Sequence, residues 1–167
     1  MQSYLRGVLG GLAALVILAS QGCQYQNRVT REECKEAPSV ILKLVDDYRT
    51  DHGLKKFILY PPLVTAAEGR SQHMADLDYY EQVGPDGKDA FDFVYDLNIN
   101  FEAANSASIK TNHSNTGKES FEDLKKRAST NGYMLSSHTH IGAASAYDDD
   151  SGFCYITLLF AEDPVLN

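Results

Sequence analysis

The chain has 167 residues, no tryptophan, five prolines and three cysteines. It is poor in cations: 15 Lys and Arg stand against 23 Asp and Glu, a formal charge of −8. That imbalance excludes binding of nucleic acid by phosphate neutralisation, and excludes adhesion to anionic lipid by charge alone. Long hydrophobic runs are also missing. The one sustained apolar stretch, Val8 to Ala19, falls well short of the roughly twenty residues a spanning helix needs. There is no Gly-x-Ser-x-Gly, no phosphate loop and no dinucleotide fingerprint, so the chain carries no signature of an α/β-hydrolase, a P-loop NTPase or a nicotinamide enzyme. What remains is an acidic chain, 43% hydrophobic, of a size that buries one core.

The N-terminus is the most informative segment. Arg6 precedes the apolar stretch, and Ser20-Gln21-Gly22-Cys23 follows it. This layout is that of an export signal with a cysteine at the cleavage point, and it resembles the lipobox of bacterial lipoproteins, although Ser20 stands where an aliphatic residue is usual. The resemblance implies a signal peptide over residues 1–22, a lipidated Cys23 opening a tether over 23–37, and a folded domain over 38–167. Each buried acyl methylene contributes about 0.8 kcal/mol, and more than one chain makes anchoring stable. The partner so implied is a membrane, and the location is outside the cytoplasm, with secretion as the alternative. Without the signal, 14 basic and 23 acidic side chains leave about −9. Cys34 and Cys154 then remain, and an oxidising compartment favours their pairing over two buried thiols. Such a bridge would stabilise by roughly 4 kcal/mol in the loop-entropy account.

Ile41, Leu42, Leu44, Val45 and Tyr48 recur at helical spacing, with Pro38 fitting the first turn and Gly53 lying past the end. Pro61-Pro62 restarts the chain, and Leu63, Ala67, Arg70 and Met74 form a stripe on a helix reaching toward Tyr80. Gly84-Pro85-Asp86-Gly87 is a turn. Short helices are expected near 89–97 and 119–129, separated by a long polar loop over 98–117 with weak strand character at most. The tail reads as a hairpin, Ile141–Tyr147 and Phe153–Ala161. The second strand is apolar on both faces, which requires cover on both sides of the sheet.

These pieces, in this order, resemble the CAP superfamily of cysteine-rich secretory proteins, antigens and pathogenesis-related proteins, its bacterial branch above all. The matching residues are Tyr48-Arg49 with Gly53-Leu54, Leu63-Val64-Thr65-Ala66-Ala67, Met74-Ala75, Gly84-Pro85-Asp86-Gly87, Thr139-His140-Ile141-Gly142 and the strand Tyr155–Phe160. The resemblance covers about residues 38–161. It implies an α+β fold, a three-layer α-β-α sandwich, with a central cleft in which two histidines and one or two glutamates bind a divalent metal or support hydrolysis.

The chain departs from that pattern at each of those positions. Gln82 stands at the first histidine, Ala104 followed by Asn105 at the Gly-Glu-Asn motif, Ser129 or Thr130 at the last histidine, and Arg70 at the histidine often seen in the second helix. Without imidazole a site holds a transition metal poorly and lacks a base near neutral pH. The expectation is therefore no cofactor, no metal and no catalysis. The chain reads as a binding module for a lipid or an envelope protein, with Gln82, Ala104, Asn105, Thr130, His138 and His140 as candidate ligand contacts. A degenerate hydrolase or a metal site on the His138-x-His140 pair is the alternative, since strand alternation would put both on one face. His73, out of phase with the stripe, is expected to face solvent. Asp148-Asp149-Asp150-Ser151-Gly152 reads as a solvated turn, because it lacks the length and closing glutamate of a calcium loop.

Overall fold

The computed structural model describes residues 27–166. Cys23 and the signal segment lie outside the described residues. Helix α1 runs from Arg31 to Asp51, seven residues earlier than Pro38, so residues 31–37 of the expected tether are helix. Thr30 accounts for the early start: its hydroxyl accepts from the Glu33 amide while the Glu33 carboxylate accepts from the Thr30 amide. Such a reciprocal cap contributes about 1 kcal/mol. Pro38 therefore sits inside the helix, where it leaves the Cys34 carbonyl without its helical donor. The Ser145 hydroxyl donates to that carbonyl instead, at 2.7 Å.

Strand β1 (Ile58–Leu59) leads into α2 (Pro61–Asp76), which ends before the expected Tyr80. Then come α3 (Ala90–Tyr95), β2 (Ile99–Asn100), β3 (Ala103–Thr111), α4 (Thr116–Lys126), α5 (Ala128–Met134), β4 (His140–Asp148), β5 (Phe153–Glu162) and β6 (Val165–Leu166). The main sheet has the order β1-β4-β5-β3, and β2 pairs with β6 apart from it. The segment expected as a loop over 98–117 thus contains a nine-residue edge strand, paired antiparallel to β5 from Ala103 opposite Glu162 to Thr111 opposite Cys154.

The two faces of the sheet bury separate cores. Ile41 and Val45 of α1, Phe121 and Leu124 of α4 and Met134 of α5 cover Ile156, Leu158 and Phe160 of β5. On the other face Leu63 and Ala67 of α2 and Val94 of α3 cover Leu159 and Ala161. Strand β5 is buried from Cys154 to Ala161, as a strand with helices on both sides must be. The α-β-α sandwich is therefore present. The Cys34–Cys154 disulfide ties the start of α1 to the start of β5, with Cα atoms 5.5 Å apart across 120 positions of sequence. Among the described residues no helix is long and apolar enough to cross a membrane.

Candidate functional site

A cleft of about 330 Å³ opens at the outer edge of the sheet, beside β3. Ser106, Ala107 and Ser108 line one side of it. Arg70 of α2 and the segment Tyr80-Glu81-Gln82 form a wall, and Arg127, Ser129 and Thr130 at the α4–α5 corner face them. Gln82, Arg70, Ser129 and Thr130, which stand at the histidine positions of the resemblance, line the cleft, whereas Ala104 at the glutamate position does not. No histidine lines the cleft, and Glu81 is its one carboxylate. Amide, hydroxyl and guanidinium groups do not make a transition-metal site, so the donors here do not fit the metal implied by the resemblance.

Arg70 organises the wall. It is 1% exposed. Its Nη2 donates to the carbonyls of Glu81 (2.7 Å) and Gln82 (3.0 Å), and its Nη1 to the Lys88 carbonyl (3.2 Å) and the Tyr79 hydroxyl. A guanidinium is an obligate donor, so the Tyr79 hydroxyl is free to donate onward to His73 Nδ1 at 2.6 Å. In the neutral tautomer that accepts at Nδ1, His73 carries its proton on Nε2, which donates to Asp86 at 3.1 Å. Burial pushes the Tyr79 phenol up, against the opposing pull of Arg70. The Lys88 amide, and after it His73, hold the Asp86 carboxyl below its usual range. The relay Asp86–His73–Tyr79–Arg70 thus locks the Gly84-Pro85-Asp86-Gly87 turn against α2. Gly84 is needed there: a Cβ on it would meet the Tyr79 hydroxyl at 2.8 Å and Asp86 and His73 at 3.0 Å. His73 is accordingly a packed link with a side chain 19% exposed, not a solvent-facing residue. Its position three residues after Arg70, on one helical face with it, was the available signal.

The opposite wall is also tied down. Thr130 is 6% exposed and caps the corner, its hydroxyl donating to the carbonyls of Leu124 (2.5 Å) and Arg127 (3.2 Å). Arg127 pairs with Asp123 and donates through Nη1 to the Tyr80 hydroxyl (3.1 Å) and the Ser108 carbonyl (3.2 Å). Tyr80 donates to that same carbonyl at 2.6 Å. These bonds join the loop after α2 to the edge strand and the helical corner, which gives the cleft its shape.

Of the six candidate contacts, Gln82 and Thr130 line the cleft and four do not. Ala104 packs into the α2-side core. Asn105 projects to the other strand face, where its Oδ1 lies 2.7 Å from His138 Nε2. His138 precedes β4 and is 6% exposed, while His140 opens the strand, bonded to the Thr139 hydroxyl and edge-on to Tyr60 at 5.7 Å. The alternation of β4 puts Ile141 and Ala143 on the α1 side, and so His140 and Ala144 on the α2 side. His138, on Asn105, belongs with the α1 side. The histidine pair therefore splits across the sheet rather than sharing one face. Burial pushes the His138 imidazole down, reinforced by Arg49 and opposed by Glu162. Among the described residues no three His, Cys, Asp or Glu side chains cluster with metal-binding geometry.

A second concavity, about 580 Å³, runs between α1 and α2 over Ala143–Tyr147 of β4. Pro38, Leu42, Leu59 and Val64 give it apolar walls.

No protein-family model and no curated protein sequence matches this chain. Solved structures do. An extracellular protein containing an SCP domain from Bacillus anthracis superposes with a TM-score of 0.67 at 18% identity, over 76% of this chain and 40% of that one. An outer surface protein of Borrelia burgdorferi gives a TM-score of 0.66 at 10% identity, over 81% of this chain and 96% of that one. Venom allergen-like protein 4 of Schistosoma mansoni gives 0.54 at 14% identity, over 78% and 88%. This chain thus spans less than half of the Bacillus protein and nearly all of the Borrelia one. With the α-β-α layers, the strand order and the edge cleft in place, the chain has the fold of the CAP superfamily.

Proposed function

We propose that this chain is an exported, lipid-anchored binding module of the bacterial cell envelope that performs no catalysis. One observation carries the reading. The cleft at the place of the implied histidines presents Arg70, Gln82, Ser129 and Thr130, and Arg70 and Thr130 are bonded into the backbone around them. Neither can take a proton from a substrate near neutral pH: a guanidinium stays charged, and a hydroxyl without a base partner stays protonated. The cleft keeps its shape and lacks imidazole, and its one carboxylate, Glu81, is exposed on the rim, which suits recognition without turnover.

Two further facts support the location. The Bacillus anthracis protein with this fold is described as extracellular, and the Borrelia burgdorferi protein as an outer surface protein. The export signal and Cys23 of this chain supply the route and the anchor for the same setting. The partners on this reading are the membrane, through the acyl chains, and a lipid ligand or an envelope protein. The groove between α1 and α2, with Pro38, Leu42, Leu59 and Val64 on its walls beside Arg31, Lys35, Glu68 and Gln72, is the concavity offered to an acyl chain on this reading.

The test is native mass spectrometry of the protein taken from its own envelope in mild detergent. A polypeptide mass beginning at Cys23 with acyl chains added, and a further non-covalent ligand or protein, supports the reading. A bare chain that begins elsewhere and carries nothing removes it.

A further inference from the structure

Among the described residues two arginines are almost fully buried, and they differ in one respect. Arg49 is 4% exposed, donates to the carbonyls of Lys55, Met134 and Ser136, and lies 3.8 Å over the Phe57 ring. None of its buried nitrogens is left without a partner. Arg70 is 1% exposed and bonded to three carbonyls and a hydroxyl, yet its buried Nε–H has no acceptor among the described residues. Neither does any carboxylate come within ion-pair distance of it among those residues. Arg70, unlike Arg49, lines the cleft.

A buried donor left without an acceptor costs about 1–3 kcal/mol, and a buried charge normally has an opposite charge nearby. The rest of the cleft offers the matching chemistry. Arg127 commits Nη1 and Nη2 to Tyr80, Ser108 and Asp123 but makes no bond through Nε. The side-chain hydroxyls of Ser106, Ser108 and Ser129, all on the lining, form no hydrogen bond with the described residues. Two guanidinium groups and three uncommitted hydroxyls thus surround a volume of about 330 Å³, within the range of small-molecule sites.

We propose that this cleft binds an oxyanion, the carboxylate or phosphate of a small polar ligand, between Arg70 and Arg127 with the serine hydroxyls as additional donors. The proposal rests on the reading of the chain as a binding module and names the chemistry its cleft takes. Two charges oppose it. Glu81 lies on the rim, and Asp123 already neutralises part of Arg127. The domain as a whole is acidic, so attraction is confined to the cleft and falls with salt. Guanidinium pairs suit such a ligand because their N–H groups match two oxygens of one carboxylate or phosphate.

The experiment follows the arginine Nε–Hε resonances of the isotope-labelled domain during titration with sodium phosphate and, separately, sodium acetate at constant ionic strength. The expected result is a saturable shift of the Arg70 Nε–Hε signal with at least one of the two anions, and the preferred anion distinguishes phosphate from carboxylate ligands. Arg127→Gln weakens that binding about tenfold, and Glu81→Gln tightens it several-fold, because each changes one unit of charge at the site. Glu81 is exposed, and because Arg127→Gln also gives up bonds to Tyr80 and the Ser108 carbonyl, its backbone amide spectrum is checked against that of the unaltered domain. An Arg70 signal that stays put through roughly 50 mM of both anions, far beyond millimolar affinity, overturns the proposal, and so does a shift that is the same in Arg127→Gln. A non-covalent ligand found on the native protein in either case leaves the binding-module reading standing and puts its site elsewhere.

Discussion

Gly142 of β4 is the point at which the whole α2 layer rests on the sheet. A Cβ added there would lie 2.3 Å from the Leu63 carbonyl carbon and 2.5 Å from both its oxygen and its Cβ, where ordinary contact begins near 3.4 Å. Two of the three atoms are backbone, in the first turn of α2, so no rotamer change relieves the overlap. The Gly142→Ala protein must part helix and strand by about 1 Å. Interiors are packed at crystal-like density, so that separation forfeits dispersion contacts along the interface. Overpacking costs about 1–3 kcal/mol where side chains can adjust. With backbone as the obstacle, about 3 kcal/mol or more is expected, which lowers Tm by roughly 6–12 °C for a domain of this size.

The matched control is Gly132 in α5, where a Cβ meets nothing within 4 Å. Gly132→Ala should stabilise by about 0.5–1 kcal/mol, because alanine loses less backbone entropy in a helix. Urea melts and differential scanning calorimetry of the two variants give both numbers. If Gly142→Ala costs less than about 1 kcal/mol, the contact between α2 and β4 is softer than its geometry implies, and the reasoning fails. The same displacement also reaches the cleft. Arg70 lies seven residues, two helical turns, beyond Leu63 on the same face, so its bonds to the Glu81 and Gln82 carbonyls should loosen too.

Three other outcomes can be checked with the same melts. Replacing Cys34 and Cys154 by serine removes a cross-link spanning 120 positions; the loss should be about 4–5 kcal/mol, and a loss under about 1 kcal/mol would mean the denatured chain is already constrained. Arg49→Met strands the carbonyls of Lys55, Met134 and Ser136 and should cost about 3 kcal/mol or more, with Arg49→Lys recovering only part because an ammonium lacks the fork. Burial holds the folded His138 below its ordinary pKa. As pH falls, the unfolded chain takes up that proton first, near pH 6.5, so stability declines from about there to the folded-state value and then levels off. His138→Gln should flatten this limb between about pH 7.5 and about pH 5.5, and unchanged slopes would show that His138 does not titrate as argued.

Sequence patterns revealed the elements whose burial is periodic. The stripes of α1 and α2 and the doubly apolar β5 were legible because each residue on them meets a core. Strand β3 was not, since Ala103–Thr111 reads as alanine, asparagine and serine with little β-branching. Yet an alternation was there. Ala107 and Ile109 are buried toward the α1 core, while Ser106 and Ser108 alternate with them and, with Ala107, line the cleft. An edge strand that floors a polar cleft needs no apolar residue on that side, so it loses the composition by which strands are recognised. The early start of α1 had a signal in Thr30-Arg31-Glu32-Glu33, a capping box. Pro38 drew attention away from it, and the bond that makes Pro38 tolerable comes from Ser145, more than a hundred residues later.

The candidate site was less legible because residue identity does not say what a polar group is bonded to. Gln82 and Thr130 were placed in the cleft by the resemblance and do lie there, but Thr130 is turned into the chain as a cap. Arg70 appeared as a member of an apolar stripe and as the replacement for a histidine, and neither reading says what a cation there is bonded to. Its meaning depends on four acceptors between Tyr79 and Lys88 that are brought under it by the turn at Gly84–Gly87. A histidine at that place could donate one proton and accept another, and so could serve chemistry. A guanidinium can only donate, and here it holds the loop closed while leaving one N–H toward no protein acceptor. With arginine at that place the side chain shapes the cleft by donation alone.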